Sequence, residues 1–402
     1  MYQEETLFKE TLFSQVEFEP QDPIFSTNAQ YNEDPRSGKI NFTIGYVASP
    51  AGSFPVILPS VREAVKEIAE KETTKNYFPI SGDKGYVEAV RKLVFHDLAH
   101  DTTVGFGTAG GTAAVRLIAE FIYGQISTRV CFSNPTWANH HQIFQRVGYE
   151  IDHFPYEVEK GFDFARVVDH LSHLPKRTVI LFQPMCHNPT GYDFSLDEWQ
   201  VLSDLCRTKG LIPFFDSAYQ GLGIGLTKDV EPIRLFVREG HEVFVANSFS
   251  KSMGVYGERV GAAFVSMHSN KYKENVVNRM QIITRTQYSN PPRHGESIVL
   301  AVLSNTERRA KWEKEVEEMR NRVIYFRKKL VEGLTPISDK DYQYISNGHG
   351  FFCRLGLNPD QVAQIRDKYA IYMTKDSRIN IAAINDGNIP KLLKALEGVF
   401  QG

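Results

Sequence analysis

The sequence predicts an α/β fold in which a mostly parallel sheet is sandwiched by helices, with a smaller α+β unit drawn from both chain ends. Three observations predict it: short unbroken apolar runs, amphipathic segments between them, and a change of texture after about residue 295. A chain of 402 residues with 42% hydrophobic side chains has enough material for two or three domains with a sizeable core.

The N-terminal fifty residues show no helix–strand alternation of their own and are expected to pack with the C-terminal unit. Apolar runs then follow at 130–132, 179–182, 211–215, 243–246 and 262–265. None alternates apolar with polar, as suits strands buried on both faces. In residues 112–123, Ala114, Leu117, Ile118, Phe121 and Ile122 form one helical stripe, and Gly124 stops it. Residues 197–209 repeat the pattern between Ser195, a capping residue, and Gly210. Residues 307–330 carry Trp312, Val316, Met319, Val323, Phe326 and Leu330 at spacings of 4, 3, 4, 3 and 4, predicting a long helix that bridges two domains. Residues 348–355 and 378–383 read as strands of the smaller unit.

Composition excludes several classes of function. Forty-six basic and 48 acidic side chains leave a formal net charge of -2, too balanced for a chain-wide grip on nucleic acid or an anionic membrane. The four cysteines, at 131, 186, 206 and 353, form no CxxC pair, which argues against a zinc ribbon, a thioredoxin-like motif or a disulfide framework. The first twenty residues hold five Glu and one Lys, and the first arginine is Arg36, so neither a secretory nor a mitochondrial leader is expected. No run of 18 apolar residues occurs, and the expectation is a cytoplasmic protein.

Two motifs mislead. Gly105-Phe106-Gly107-Thr108-Ala109-Gly110 matches GxGxxG, but residues 100–104 make a poor strand and no acid ends the next one, so a dinucleotide site is rejected. A Gly-rich loop opening a helix can still hold a phosphate. His96 and His100 flank Asp97 at helical spacing, but they lack a third ligand and read as surface histidines; His170 and His173 are weaker still. No metal is expected.

The informative stretch runs from residue 188 to 261. Asn188-Pro189-Thr190-Gly191, Asp216-Ser217-Ala218-Tyr219-Gln220-Gly221 and Ser248-Phe249-Ser250-Lys251 each follow an apolar run, and Arg259 comes eight residues after Lys251. Singly these are a turn, a helix cap and a surface lysine. Together they bring Asn, Asp with Tyr, and Ser with Lys to the carboxyl ends of successive strands, where open α/β sheets bind ligands. A lysine at a dry strand end can form a Schiff base with a carbonyl cofactor, and a neighbouring carboxylate can pair with a pyridinium nitrogen. At an effective dielectric near 20, such a pair about 4 Å apart gains roughly 4 kcal/mol before desolvation. With Ser248, Arg259 and Gly110-Gly111-Thr112 available for a phosphate, this is the chemistry pyridoxal phosphate requires.

The chain resembles the aspartate aminotransferase family, the class I pyridoxal-phosphate-dependent aminotransferases of fold type I. The likeness runs from Gly38-Lys39-Ile40-Asn41 to Arg378-Ile379-Asn380. Its motifs are Ser133-Asn134-Pro135-Thr136-Trp137, Cys186-His187-Asn188-Pro189-Thr190-Gly191, Phe215 through Gly221, Ser248 through Lys251, and Tyr288-Ser289-Asn290-Pro291-Pro292. The resemblance implies that Lys251 is the Schiff-base lysine and moves the proton, while Asp216 holds the ring nitrogen with His140 behind it. It further implies that Trp137 stacks on the ring and that Asn188 and Tyr219 bond its phenolic oxygen. Gly111, Thr112, Ser248 and Arg259 would bind the phosphate, with Tyr77 and Ser289 donated by the second subunit of a homodimer. Arg378 would clamp the substrate α-carboxylate and the partner subunit's Arg285 the distal carboxylate, with Gly45 near the substrate.

The resemblance also implies domains at 1–49 (arm and part of the small domain), 50–310 (large) and 311–402 (small). Departures fall in residues 46–54, where Phe54 stands for a usual Thr, and at Gln183, which stands for a usual His; Asn76, Thr112 and Asn290 keep the aspartate type. The reading is a ping-pong aminotransferase acting between L-aspartate and 2-oxoglutarate. Its rivals are an aromatic amino acid aminotransferase of the same family and a non-catalytic binding protein on the same fold.

Overall fold

The computed structural model describes residues 11–18, 22–48, 55–156 and 162–401. It begins with α1 (Pro23–Glu33), β1 (Ile40–Asn41), α2 (Pro59–Lys71) and α3 (Lys84–Phe95). Strand–helix alternation follows: β2 (Thr103–Ala109), α4 (Gly110–Ile122), β3 (Arg129–Asn134), α5 (Ala138–Val147), β4 (Glu150–Pro155), α6 (Phe164–Ser172), β5 (Val179–Phe182), α7 (Leu196–Lys209), β6 (Ile212–Ser217) and α8 (Glu231–Arg238). Next come β7 (Val243–Ser248), β8 (Val260–Ser266), α9 (Lys273–Gln287), α10 (Arg293–Leu303) and α11 (Thr306–Leu334). The chain closes with α12 (Gln343–Asn347), β9 (Phe352–Arg354), α13 (Pro359–Tyr369), β10 (Ile371–Tyr372), β11 (Arg378–Asn380) and α14 (Ile389–Phe400).

Seven strands form one sheet in the order β2-β8-β7-β6-β5-β3-β4. From β7 to β4 all neighbours are parallel, so β3, β5, β6 and β7 end at the same edge. β8 is antiparallel to both β7 and β2, which returns β2 to the common direction. The end of β2 therefore lies near the end of β7, a juxtaposition no local pattern announces. Alternate residues serve opposite faces: Ile180 and Phe182 join one core and Val179 and Leu181 the other.

The smaller strands tie the chain ends together. β1 pairs with β10 in parallel and β9 with β11 antiparallel. The long helix α11 buries the six residues of its predicted stripe. Trp312 Nε1 donates to the Ser252 carbonyl at 2.8 Å, so α11 braces the segment after β7. Further along, the fully buried Arg327 donates to the carbonyls of Ile345, His349, Gly350 and Phe352 at 2.6–3.2 Å. A buried guanidinium is tolerable only when its donors are taken, and these carbonyls take them.

Several expectations need correction. Gly105 and Gly107 are not loop residues; they lie inside β2. A Cβ at Gly105 would sit 2.6 Å from Phe264 and Val87, and one at Gly107 1.9 Å from Glu296 Oε1, so close packing requires these glycines. Only Gly110 and Gly111 open the helix. His96 and His100 share no helix face, because α3 ends at Phe95 and His96 has φ 56°. β4 escaped notice because Glu150, Asp152 and His153 belong to an edge strand, and α1 was not foreseen. The strand expected over 378–383 stops at Asn380 and continues as a 3-10 turn. The departures at 49–54, including Phe54, lie outside the described residues. All four cysteines are buried and free, and among the described residues no helix is long and apolar enough to cross a membrane.

Candidate active site

The parallel strands deliver their side chains to one cavity of about 440 Å³ at the carboxyl edge. Its wall includes Gly111 and Thr112 from the first turn of α4, Trp137 before α5, Asn188 after β5, Asp216 of β6, Tyr219 just beyond it, Ser248 of β7, Lys251 and Arg259. Gly45 and Arg378 reach the same cavity from the terminal segments. The residues named from sequence are thus brought together, apart from Tyr77, Arg285 and Ser289.

Asp216 is buried, and its Oδ2 lies 2.9 Å from His140 Nε2. The fully buried His140 has its other nitrogen 2.8 Å from Thr136 Oγ1. The imidazole can therefore donate to the carboxylate from Nε2 while accepting the threonine hydroxyl at Nδ1, which orients Asp216. Lys251 Nζ stands 4.9 Å from the Tyr219 ring centroid. Burial pulls its amine down to about 8, with Arg259 pulling the same way and Asp216 opposing. Burial also pushes the Tyr219 phenol up.

The other end of the cavity is cationic and rich in N–H groups. α4 has no side-chain cap at Ala109, so its first amides remain available to an anion. Gly110 has φ +82°, and a Cβ there would fall 2.4 Å from the Arg259 guanidinium; one at Gly111 would come 3.0 Å from Ser248 Cβ. This cradle exists because both residues are glycine. Arg259 donates to the Tyr256 carbonyl at 3.0 Å and reaches Ser250 Oγ at 3.4 Å; the Ser248 hydroxyl also meets Ser250 at 3.2 Å.

Arg378 is buried over the Phe352 ring, 4.2 Å from its centroid. It donates to Asn188 Oδ1 at 3.0 Å and to the Thr43 carbonyl at 2.7 Å, while its buried Nε has no partner. A buried guanidinium with a spare donor on a cavity wall suits a carboxylate. Gln183 holds the Asn188 backbone from both sides, accepting from its N–H at 3.0 Å and donating to its carbonyl at 3.1 Å, and also donates to Thr136 Oγ1 at 3.3 Å. An amide thus links Asn188 to the chain behind Asp216. Beneath the same segment, burial pushes His187 down to about 3; its nitrogens lie 2.8 Å from Ser133 Oγ and Thr190 Oγ1.

Tyr77, Arg285 and Ser289 do not line this cavity. Tyr77 is 88% exposed and lies along a separate groove with Asn76, Tyr288 and Asn290. Arg285, at the end of α9, bonds Ser289 Oγ. Sequence reasoning missed Ser250, Tyr256 and Phe352, and it missed Ile24 and Phe25, which bring an apolar edge to the cavity from α1. Ser250 sat inside a motif already singled out; the others reach the site only through long-range folding.

A pyridoxal phosphate group fits these residues: N–H groups and Arg259 for the phosphate, Asp216 for the ring nitrogen, Trp137 for the ring face and Lys251 for the carbonyl carbon. Comparison with known proteins points the same way. Residues 37–396 match the family model for aminotransferase class I and II. An aspartate aminotransferase of Pseudomonas aeruginosa is 38% identical over 97% of this chain and 100% of its own length. An aromatic-amino-acid aminotransferase of Escherichia coli is 34% identical with the same coverage. The crystal structure of an aromatic-amino-acid aminotransferase from Burkholderia pseudomallei, covalently bound to pyridoxal phosphate, superposes with a TM-score of 0.93 at 36% identity, over 97% of this chain and 100% of that one. With its sheet edge, its lysine and its carboxylate arranged as described, the chain belongs to the class I and II aminotransferases, a pyridoxal-phosphate-dependent family.

Proposed function

We propose that the protein moves the amino group between L-aspartate and 2-oxoglutarate, alternating oxaloacetate and L-glutamate as products of a ping-pong cycle. The observation that carries amino-acid transfer is the buried Arg378 on the same cavity wall as Lys251 and Asp216, and the likeness to aspartate aminotransferases, 38% identical in one case, supports aspartate as the donor. An α-carboxylate held there would bring its Cα toward the lysine amine.

When bound, pyridoxal phosphate supplies the carbonyl carbon for amine exchange and a ring that takes up the electron pair left by Cα deprotonation. Lys251 Nζ would take the proton from the substrate Cα and hold it for return to the bound cofactor, and the burial that disfavours its charged form favours the first of these tasks. Asp216, oriented by His140 at 2.9 Å, would pair with the ring nitrogen and so make the ring a better electron acceptor. Asn188 and Tyr219 would donate to the ring oxygen, and Trp137 would cover one ring face. The α4 amides, Ser248 and Arg259 would hold the phosphate and so keep the ring in place during the transfer.

Tyr77, Ser289 and Arg285 act in the second site of a homodimer, the first two on the phosphate and Arg285 on the distal carboxylate of a dicarboxylic substrate. Tyr77 and Arg285 are exposed and none of the three lines this chain's own cavity, which supports that assignment. The chain divides at residues 1–49, 50–310 and 311–402, the terminal pieces forming the smaller unit, as the β1–β10 pairing favours. The cytoplasm is the proposed location.

A second reading, transfer from aromatic amino acids, is favoured by the apolar contribution of Ile24, Phe25 and Phe352 to the cavity wall. One experiment separates the two. The visible band of the cofactor-loaded protein is recorded before and after L-aspartate, then with L-tyrosine. Discharge of the band by L-aspartate to the shorter-wavelength amine form is expected. A band that only the aromatic amino acid discharges would sink the aspartate assignment, and no band at all would sink the catalytic one.

A further inference from the structure

On the far side of β3 from its neighbour β5 lies a second concentration of reactive side chains, unused by the reaction above. β3 and β4 pair in parallel with Cys131 opposite Asp152, so both side chains project from the same sheet face. Helix α6 packs over that face and sets His170 beside them. The Cys131 sulfur, an Asp152 oxygen and a His170 ring nitrogen all lie within 4.8 Å of one another.

Two details point to a ligand. His170 Nε2 is buried and has no hydrogen-bond partner, although Asp152 Oδ2 is only 3.4 Å away. The other Asp152 oxygen is already fixed by the His153 N–H at 2.7 Å, which turns Oδ2 toward the imidazole. A tetrahedral zinc ion with nitrogen and oxygen ligands near 2.0–2.1 Å sets those ligand atoms about 3.4 Å apart. The observed separation is that of one tetrahedral edge. A cavity of about 470 Å³, lined by Asp152, His170, Arg166, Asp169 and His173, opens onto the pair from solvent and provides an entry path.

We propose that Cys131, Asp152 and His170 form a site for a zinc-type divalent ion, with the fourth position open toward this cavity. Cysteine, carboxylate and imidazole are the donors such an ion takes. Binding forms a Zn–S bond and releases the Cys131 thiol proton to water; no electron changes hands. Burial and the neighbouring Asp152 carboxylate both push that thiol up, while a hydrogen bond from the Phe154 backbone opposes them. The ion would staple the edge strand β4 and helix α6 to β3, the strand that leads to Trp137. On the opposite face, His141 and His153 stand with Nε2 atoms 3.0 Å apart, and they serve as the internal control.

The test loads the full-length, cofactor-bound protein with Zn²⁺, removes free metal by dialysis and measures zinc per chain. One tightly held equivalent is expected. His170→Gln, at a partly exposed helix position, should weaken binding by more than about 100-fold, beyond the 10–100-fold that losing an outer partner costs. Asp152→Asn should do likewise, and both avoid the core disturbance that a change at Cys131 risks. Cobalt in place of zinc should give the visible bands of a tetrahedral thiolate site at longer wavelength than the cofactor absorbs. No zinc uptake, uptake unchanged in His170→Gln, or uptake lost with His153→Gln but kept in His170→Gln would each overturn the site.

Discussion

At the carboxyl ends of β5, β6 and β7, Asn188, Asp216 and Lys251 meet Arg378 in one cavity of a single chain, whereas Tyr77, Arg285 and Ser289 lie outside it. Both groups carry an arginine, in opposite settings. Arg378 is buried, two of its nitrogens are held by Asn188 and Thr43, and one donor is left over. Arg285 ends an exposed helix face and touches only Ser289 among the contacts described. A prearranged, desolvated cation binds a carboxylate strongly because little ordering remains to be done; an exposed one is screened by water. The contrast is between a group held ready within one chain and a group that, in the proposed homodimer, would act only against a second chain.

The sharpest attempt to break this contrast is Lys251→Ala. Loss of the amine should lower turnover by more than about 10⁴-fold, combining lost proton transfer with lost covalent attachment. A variant with near-normal rate would remove Lys251 from the site. The apoprotein offers a companion measurement: with the free amine at about 8, the rate of covalent cofactor attachment should climb with pH up to about 8 and level off above it. The sign follows because the neutral amine is the nucleophile and burial disfavours its charged form. A flat profile across this range would contradict the assigned nucleophile.

Next in size is Arg378→Leu. It should lower kcat/KM for every amino acid by about 2–5 kcal/mol, the cost of removing one partner from a buried charge pair, or roughly 30- to 5,000-fold. A loss confined to dicarboxylic substrates would move the α-carboxylate elsewhere. Arg285→Ala should have the smaller and more selective effect, with dicarboxylic substrates losing about 10–100-fold and aromatic ones spared. Mixing Lys251→Ala with Arg285→Ala subunits sharpens the contrast further. If the outer group serves a second copy, each hybrid carries one native site, and random reassociation should restore about a quarter of the dicarboxylate activity. No recovery, once exchange is demonstrated, would place Arg285 in its own chain's site or in none.

The smallest expected effect tests the support of the inner group. His140→Ala should leave Asp216 in place but unoriented, lowering kcat by about 10–100-fold with little change in KM. A matched fall in folding stability and kcat, with no shift in the cofactor's absorption, would mean that His140 only fills space.

Much was legible in sequence wherever a property is local. The cap at Ser195, the closing Gly210 and the apolar stripe of α11 are set by neighbours a few residues apart, and the structure realises each. The strand-end residues were legible because a parallel sheet places successive carboxyl ends on one edge. What no local rule could announce was any contact that depends on reversing or bridging strands. The antiparallel β8 sets Gly111 against Ser248, β3–β4 pairing sets Cys131 opposite Asp152, and Arg378 reaches Asn188 across 190 positions of chain. Sequence by itself determined which groups exist and where elements start and stop, because capping, periodicity and backbone freedom act over a few residues. Tertiary structure alone decided which groups are dry and which donors stay free, because burial and long-range pairing arise only when distant segments close on one another.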